Sequence, residues 1–255
     1  MDVIGLLQPS NVALFLLVAV RSMAAMSVGP LAAWPGLPLS ARMFVGLGVA
    51  LALAPVVPTA VPASQLQLGP VQLIQEGAIG LLFGVASTLL VSAVEMAAGL
   101  IDFQAGFTFG AAFDPISGHQ DGPIERFLTA FAAVLFLDLN GHHLFLLALD
   151  ELFQIVPVSG TPNLVGPGGV AQFFAAIFVA ALAMSLPIVS LLLVADAALA
   201  IVSRAAPQFN LLAVGMPAKI GLALIAVAVL LPVTASQLEY LFGRLSSVLP
   251  VLVKS

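Results

Sequence analysis

Residues 71–103 read VQLIQEGAIGLLFGVASTLLVSAVEMAAGLIDF, an apolar stretch that carries only three charged side chains. A transmembrane helix needs about 20 mainly apolar residues to cross the ~30 Å hydrocarbon layer of a bilayer. In lipid, only helices and closed barrels satisfy their backbone hydrogen bonds. This stretch is rich in alanine and leucine and lacks the alternation of a barrel strand. We therefore predict a long membrane helix that begins near Val71 and reaches toward Phe113.

Five further apolar segments repeat this composition along the chain. They cover approximately residues 12–33, 43–57, 127–153, 170–202 and 211–231, and an amphipathic tail follows the last one. No stretch between them resembles a soluble domain. The sequence thus predicts an all-α, polytopic integral-membrane protein with about six apolar, broken helices. We expect residues 1–255 to form a single membrane-embedded domain.

The composition of the whole chain indicates the same environment. Of 255 residues, 61% are hydrophobic and 7% are charged, whereas a soluble domain typically has about 25% charged residues. Most of the surface must therefore face lipid or apolar partner subunits. The seven cations form no run, so we expect no nucleic-acid partner. The absence of cysteine excludes disulfides and thiolate catalysis.

Helix breakers and small residues lie inside the apolar segments. Because proline removes a helix hydrogen bond, we expect Pro187, Pro217 and Pro232 to kink or split their helices. The GxxxG motifs at residues 80–84 and 106–110 permit two backbones to approach closely. This close packing occurs either within the chain or at faces that also contact other subunits.

Five acidic residues lie within the apolar segments. They are Glu76, Glu95, Asp102, Asp138 and Asp196. An ionisable residue in a membrane segment is by default a candidate functional residue. Glu95 and Asp102 are seven residues apart and share a helix face, as in an ion path. The alternative, which we favour, is that they pair with a cation or cap a broken helix at a subunit interface. No repeating acidic pattern or matching partner segment supports the ion path.

The polar sequence DLNGHH at residues 138–143 interrupts the fourth segment. Asp138 and His142 have the spacing at which a helix presents a carboxylate and an imidazole to one metal ion. However, Asn140 and Gly141 are typical of a turn, and no third ligand is nearby. We therefore expect a polar kink between two half-helices, without a metal or cofactor. Nucleophile-elbow, phosphate-loop and dinucleotide signatures are absent, so we predict that the protein is not an enzyme.

Residues 103–115, FQAGFTFGAAFDP, alternate phenylalanine with glycine and alanine and end on a turn. Glycine costs roughly 1 kcal/mol relative to alanine in a helix interior, so this stretch is a poor helix. Bulky apolar side chains on a glycine-rich segment suit a hydrophobic constriction that gates by dewetting. The alternative is that these phenylalanines are ordinary core or lipid-facing residues.

Three motifs, taken in order, resemble the FliR family, and the resemblance covers residues 12–249. The first motif extends from QAGF to FDP at residues 104–115, and the second is LNGHH at residues 139–143. The third extends from RAAPQFN to GMPAK at residues 204–219. Each motif is weak when taken singly, but three in the right order are specific.

This resemblance implies a non-enzymatic subunit of a flagellar type III protein-export gate. FliR-like chains fold as bent helical hairpins and join FliP-like and FliQ-like subunits in the bacterial inner membrane, at the flagellar basal body. Other export-apparatus membrane proteins and lipid surround this core, and unfolded exported proteins pass through it. Related subunits serve virulence injectisomes, but the match at residues 140–143 favours the flagellar branch. A small secondary transporter is the remaining alternative, although the two halves of the chain show no convincing repeat.

The resemblance also implies positions for functional residues. The family places a plug at the glycine- and phenylalanine-rich loop, which corresponds to Gly106, Phe107, Phe109, Gly110 and Phe113. At the position of Phe107, relatives often have another apolar residue. Candidates for helix breaks or subunit contacts are Asn140, Gly141, Arg204, Pro207, Pro217 and Lys219.

Overall fold

A computed structural model describes most of the chain, and its described part is helical. It covers residues 9–33, 37–62, 66, 68–107, 122–162, 167–206 and 211–243. Seven α-helices lie in these ranges: α1 (Pro9–Val28), α2 (Leu39–Leu53), α3 (Pro70–Ala105), α4 (Pro123–Asp138), α5 (Gly141–Ile155), α6 (Pro167–Ala205) and α7 (Leu211–Gly243). A short 3₁₀ helix, Pro30–Ala33, follows α1. Within the described ranges no strand forms, and Thr59 and Val158 make an isolated parallel bridge. The all-α prediction is confirmed.

Four helices are long and apolar enough to cross a bilayer. They are α1, α3, α6 and α7, and the bent pair α4–α5 counts as a fifth span if its two parts are taken together. The predicted number of about six is therefore slightly too high. The second apolar segment forms only the 15 residues of α2, which extend about 22 Å at 1.5 Å per residue and do not span the hydrocarbon layer.

Prolines mark where helices begin but do not split them. Helices α3 and α4 start at Pro70 and Pro123, positions at which the missing N–H would have no helical partner. Pro187 lies inside α6, and Pro217 and Pro232 lie inside α7. These prolines do not split their helices, because each removes one hydrogen bond from a ladder that extends over more than 30 residues. The alternative expectation, a kink at each proline, stays a prediction.

The chain divides into two compact units. Unit 1 comprises Met1–Val91, Asn140–Phe174 and Phe242–Ser255, and unit 2 comprises Ser92–Leu139 and Ala175–Leu241. In unit 1, buried side chains from α1, α3 and α5 form an apolar core. Its largest members include Leu17, Phe83, Leu149, Leu152 and Phe153.

Helices α1 and α3 approach closely within unit 1. A Cβ atom added at Gly84 would lie 2.6 Å from the carbonyl oxygen of Ala25, and one added at Gly80 would also collide with the α1 backbone. One turn further along α3, the Thr88 hydroxyl donates to the carbonyl oxygen of Val28. The GxxxG motif at residues 80–84 therefore packs inside the chain.

Each helix of unit 2 buries a narrow stripe and leaves much of its apolar surface exposed. The buried positions of α4 are Ile124, Leu128, Ala132 and Phe136, which recur every four residues. Those of α6 include Ile177, Ala181, Ile188 and Leu192. In the 18-residue apolar segment that qualifies each helix as a span, only 33% of the residues of α6 and 22% of those of α7 are buried. Lipid or apolar partner subunits must cover the remainder.

Candidate functional site

Helix α3 ends just before the glycine- and phenylalanine-rich loop, in a Schellman motif. Gly106 has φ = 95°, a left-handed conformation that glycine adopts without strain. Its N–H donates to the carbonyl oxygen of Phe103 at 3.2 Å, and the N–H of Phe107 donates to the carbonyl oxygen of Asp102 at 3.1 Å. These are the two bonds that define the motif. The loop therefore leaves α3 at a well-formed helix terminus.

The same Asp102 caps the helix to which this loop returns. Its Oδ1 accepts the N–H of Ile124 at 3.2 Å, and its Oδ2 accepts the N–H of Glu125 at 2.7 Å. These N–H groups belong to the first turn of α4, where no helical carbonyl is available. Asp102 is 1% exposed, so the carboxylate lies inside unit 2 as a helix cap. We call Asp102, Gly106, Phe107, Gly122, Ile124 and Glu125 the loop neck.

Gly122 leaves room for this arrangement. It is the N-cap residue of α4 and contributes no side chain. A Cβ atom at this position would overlap the Asp102 carboxylate. The glycine thus supplies the space in which a carboxylate from α3 reaches the α4 amides.

A second polar group connects the last turn of α3 to α6 and α7. Gln104 Nε2 donates to Asp196 Oδ2 at 2.8 Å. Lys219 Nζ lies 2.8 Å from Asp196 Oδ1 and 3.0 Å from Oδ2. The Lys219 side chain is 16% exposed and that of Asp196 is 41% exposed. This partly exposed ion pair joins two of the residues that the sequence singled out.

A fully buried ion pair lies in unit 1. Arg21 Nε donates to Glu76 Oε2 at 2.5 Å, and both side chains are 0% exposed. Arg21 Nη1 also donates to the carbonyl oxygen of Val156 at 2.7 Å. The guanidinium carbon of Arg21 lies 4.4 Å from the ring centroid of Phe153, an attractive cation–π geometry. Burial of these charges is tolerable because both are paired and hydrogen-bonded.

Glu76 also holds the turn that follows α5. Its Oε1 accepts the N–H of Ser159 at 2.8 Å. Ser159 has φ = 63°, which is uncommon for a residue with a side chain. The neighbouring residue, Gln75, donates from Nε2 to the carbonyl oxygen of Gly160 at 2.5 Å. The buried ion pair thus connects α1, α3 and the 156–160 turn.

The DLNGHH sequence forms the expected break between two half-helices. Helix α4 ends at Asp138 and α5 begins at Gly141. Asn140 between them has φ = 55°, a left-handed conformation that asparagine tolerates better than most residues. Asp138, the last residue of α4 at this break, is exposed. His142 and His143 are exposed as well.

The other predicted residues are distributed among several elements. Glu95 is partly buried in α3, Arg204 is exposed in the last turn of α6, and Pro217 is exposed inside α7. Phe109, Gly110, Phe113 and Pro207 lie outside the described residues. Among the described residues, no three histidine, aspartate or glutamate side chains form a metal-binding group.

Sequence reasoning missed the partner of Glu76 and the role of Gly122. Arg21 is the cation that interrupts the first apolar segment. A charged side chain inside an apolar membrane segment requires a partner of opposite charge. The pairing of Arg21 with Glu76 could therefore have been predicted. No local sequence signal connects Gly122 with Asp102, since their proximity depends on how α3 and α4 meet.

The pattern of the family described as "Bacterial export proteins, family 1" matches residues 12–245. The chain belongs to this family. The resemblance to FliR is confirmed. Together with its membrane-length helices, membership identifies the chain as an integral membrane protein of a bacterial export family. The family description indicates a structural or transport protein.

Individual relatives support the same assignment. This export protein is 32% identical to "Flagellar biosynthetic protein FliR" of Pectobacterium carotovorum subsp. carotovorum over 211 residues, which are 82% of this chain and 81% of the relative. It is 37% identical to the protein of the same name in Bacillus subtilis (strain 168) over 164 residues, 62% of this chain and 63% of the relative. It is also 29% identical to "Surface presentation of antigens protein SpaR" of Salmonella typhimurium over 154 residues, 60% of this chain and 57% of the relative.

Proposed function

We propose that this chain is a structural and gating subunit of the flagellar type III protein-export channel. It forms a core complex with FliP-like and FliQ-like subunits in the bacterial inner membrane, at the flagellar basal body. Unfolded flagellar proteins pass through this complex, and the chain itself catalyses no reaction. The observation that carries the proposal is the family match over residues 12–245, together with relatives named flagellar biosynthetic protein FliR.

The exposed apolar surface of unit 2 supports a subunit of a membrane complex. Large apolar side chains remain uncovered on α6 and α7, among them Val194 (67% exposed), Ile201 (69%), Ile225 (64%) and Val229 (69%). Such a surface is stable only against lipid or apolar protein. A chain that lies among similar subunits in a bilayer satisfies this requirement.

Co-purification tests the assembly. We expect the tagged chain to be isolated from its own source as one large, defined particle that contains FliP-like and FliQ-like subunits. The measurement is the mass and composition of the detergent-solubilised complex. A monomer or small homo-oligomer, in cells that contain FliP and FliQ, would contradict the proposal.

The gating role is assigned to the loop that includes Phe109 and Phe113. Aromatic bulk on a glycine-rich segment supports this assignment because it suits a hydrophobic seal. We expect the Phe109→Ala/Phe113→Ala variant to leak ions across the membrane or to secrete abnormally. The matched control is Phe103→Ala, which removes an aromatic ring that is 68% exposed on α3, before the loop begins. Ion leak and secretion equal to those of the wild type in the loop variant would contradict the gating role.

An injectisome subunit is the second candidate function. It is supported by the 29% identity to SpaR over 60% of this chain. Deletion of the gene that encodes this chain distinguishes the flagellar function from the injectisome function. Loss of filaments and motility supports the flagellar function, whereas loss of virulence-protein secretion with intact motility supports the injectisome.

A further inference from the structure

An ion pair lies inside the exposed apolar surface of unit 2. Asp196 on α6 and Lys219 on α7 bond to each other, and Gln104 of α3 donates to the same carboxylate. The chain is apolar on both sides of the pair. Helix α6 continues beyond Asp196 with AALAIV at residues 197–202, and LLAVGMPA at residues 211–218 precedes Lys219 on α7. The pair is therefore a polar spot within an apolar surface.

The carboxylate of this pair is too exposed for a lipid environment. The Asp196 side chain is 41% exposed, and its neighbours on the same helix face, Leu193 and Ala200, are exposed as well. A charge in contact with hydrocarbon is costly. Aspartate, with a single methylene group, cannot extend to the membrane surface as lysine and arginine do. Because apolar side chains surround the carboxylate, the cover that satisfies both is protein.

The bonds already made define what a partner can supply. An ionised carboxylate offers about four acceptor positions. Lys219 Nζ lies 2.8 Å and 3.0 Å from the two oxygens of Asp196, and Gln104 Nε2 lies 2.8 Å from Oδ2. An ammonium group has three donors, and two of them serve these contacts. Among the described residues, one acceptor position and one donor thus remain, side by side, on a pair whose net charge is zero.

We propose that an apolar helix of another membrane subunit packs on this surface and brings the carboxamide of an asparagine or glutamine to the Asp196–Lys219 pair. The carboxamide N–H donates to Asp196 and its oxygen accepts from Lys219, so both remaining positions are satisfied. A charged partner would leave a net charge in an apolar interface, which is costly. A purely apolar helix would leave the remaining acceptor and donor without hydrogen bonds.

This inference rests on the proposed function, which places the chain among other membrane subunits. It adds the surface on which one of them binds and the chemical group that this subunit contributes.

Site-specific cross-linking in the assembled complex identifies the occupant of the surface. Leu193 is replaced by a diazirine-bearing amino acid of similar size, which inserts on irradiation into whatever lies against this face of α6. The products are identified by mass spectrometry. We expect attachment to a FliP-like or FliQ-like subunit, within one helical turn of an asparagine or glutamine.

The other products of this experiment overturn the proposal. Attachment to lipid, to a second copy of this chain or to an exported protein would show a different occupant. Attachment to a subunit segment that has no asparagine or glutamine would exclude the carboxamide. Loss of the diazirine to water, with no cross-linked product, would show an aqueous surface.

Recovery of the complex measures the contribution of the polar contact. Gln104→Leu/Asp196→Leu/Lys219→Leu removes the three polar side chains together, so none of them is left in the chain without a partner. Because the carboxamide of the other subunit then lacks its bonds, we expect the co-purified FliP-like and FliQ-like subunits to fall about fivefold, the effect of one interhelical hydrogen bond. Wild-type recovery of the triple variant would overturn the proposal.

Two controls accompany the triple variant. Gln104→Leu alone keeps the ion pair and should give wild-type recovery. Ser190→Leu replaces an exposed polar residue of α6 whose hydroxyl donates to the carbonyl oxygen of Pro187 in the same helix, and it should also give wild-type recovery. An equal loss in Ser190→Leu would show that any leucine added to α6 disturbs assembly, and would overturn the specific role of the pair.

A variant of the partner subunit completes a double-mutant cycle. Replacing its cross-linked asparagine or glutamine by leucine should lower recovery about fivefold with the wild-type chain. It should cause no further loss with the triple variant, since the same contact is already absent. Additive losses would overturn the proposal. The first step leaves this chain unchanged and therefore decides even if the triple variant fails to fold, because wild-type recovery there excludes the contact.

Failure of this inference is distinguishable from failure of the proposed function. If the tagged wild-type chain retains neither FliP-like nor FliQ-like subunits, the proposed function fails, and this interface fails with it. If the complex forms but the diazirine at position 193 attaches elsewhere, the proposed function stands and only this interface is excluded.

Discussion

The ion pairs of the two units differ in exposure. In unit 1, Arg21 and Glu76 are both 0% exposed, and backbone groups of the 156–160 turn satisfy further atoms of the pair. In unit 2, the Asp196 side chain is 41% exposed and Lys219 is 16% exposed. The membrane-length helices also differ in burial. In their 18-residue apolar segments, 44% of the residues are buried in α1 of unit 1 and 56% in α3, which belongs partly to each unit, whereas 33% are buried in α6 and 22% in α7.

This difference indicates which part of the chain is complete by itself. Arg21 and Glu76 find partners within unit 1, so its charge-paired interior is closed. Three buried atoms of this unit, Arg21 Nη2, Ser22 Oγ and Ser159 Oγ, nevertheless have no hydrogen-bond partner. The apolar faces of α6 and α7 have no such cover within unit 2 and require lipid or other subunits. Loss of a contact should therefore affect mainly folding in unit 1 and mainly assembly in unit 2.

The largest effect is expected at the buried ion pair. Glu76→Ala leaves the Arg21 charge without its carboxylate and the Ser159 N–H without its acceptor. Removing one partner of a buried pair typically costs about 3–5 kcal/mol. We expect the variant to accumulate poorly and to aggregate at a lower temperature in detergent than the wild-type complex. The measurement is the thermal aggregation midpoint together with the cellular level of the chain.

Glu76→Gln is the matched control for this prediction. It keeps the shape and one acceptor oxygen and removes only the charge, so its loss of stability should lie between wild type and Glu76→Ala. If Glu76→Ala melts like the wild type, the view of unit 1 as a closed, charge-paired interior is wrong.

An intermediate effect is expected where helices touch through glycine. Gly84→Ala places a Cβ 2.6 Å from the carbonyl oxygen of Ala25, and overpacking of this kind costs about 1–3 kcal/mol. Gly221→Ala in α7 meets nothing within 4 Å in this chain, and its helix propensity should make it neutral or stabilising by up to ~1 kcal/mol. Thermal midpoints of the two variants in detergent test the contrast.

Co-purification of the Gly221→Ala variant with its partner subunits extends this comparison from stability to assembly. An intact chain that no longer binds its partner subunits would show that a partner covers this part of α7. Equal destabilisation of the isolated chain by Gly84→Ala and Gly221→Ala would contradict the difference in packing between the two units.

The smallest effect on stability is expected at the exposed ion pair. Lys219→Ala should cost less than ~1 kcal/mol, because partly exposed pairs contribute little. If residues 204–219 form a subunit contact, Arg204→Ala/Lys219→Ala should nevertheless reduce the recovery of the complex in co-purification. Normal assembly of this double variant would remove the support for a contact at these residues.

Local chemistry explains which parts of the site were predictable. The break at residues 138–143 follows from Asn140 and Gly141, which favour a turn wherever the segment lies. The end of α3 at Gly106 follows in the same way from a glycine that accepts a left-handed conformation. By contrast, Pro187 and Pro232 signal a break locally, but the surrounding helices continue through them.

The sequence by itself determined that this protein is helical and membrane-embedded, because long apolar runs in lipid must satisfy their backbone bonds internally. Its three motifs also indicated the family. Only the tertiary structure decided that Arg21 pairs with Glu76, 55 residues away, and that Asp102 caps a helix 22 residues further along the chain. These pairings depend on which helices lie side by side. Hydropathy along one helix carries no information about its neighbours.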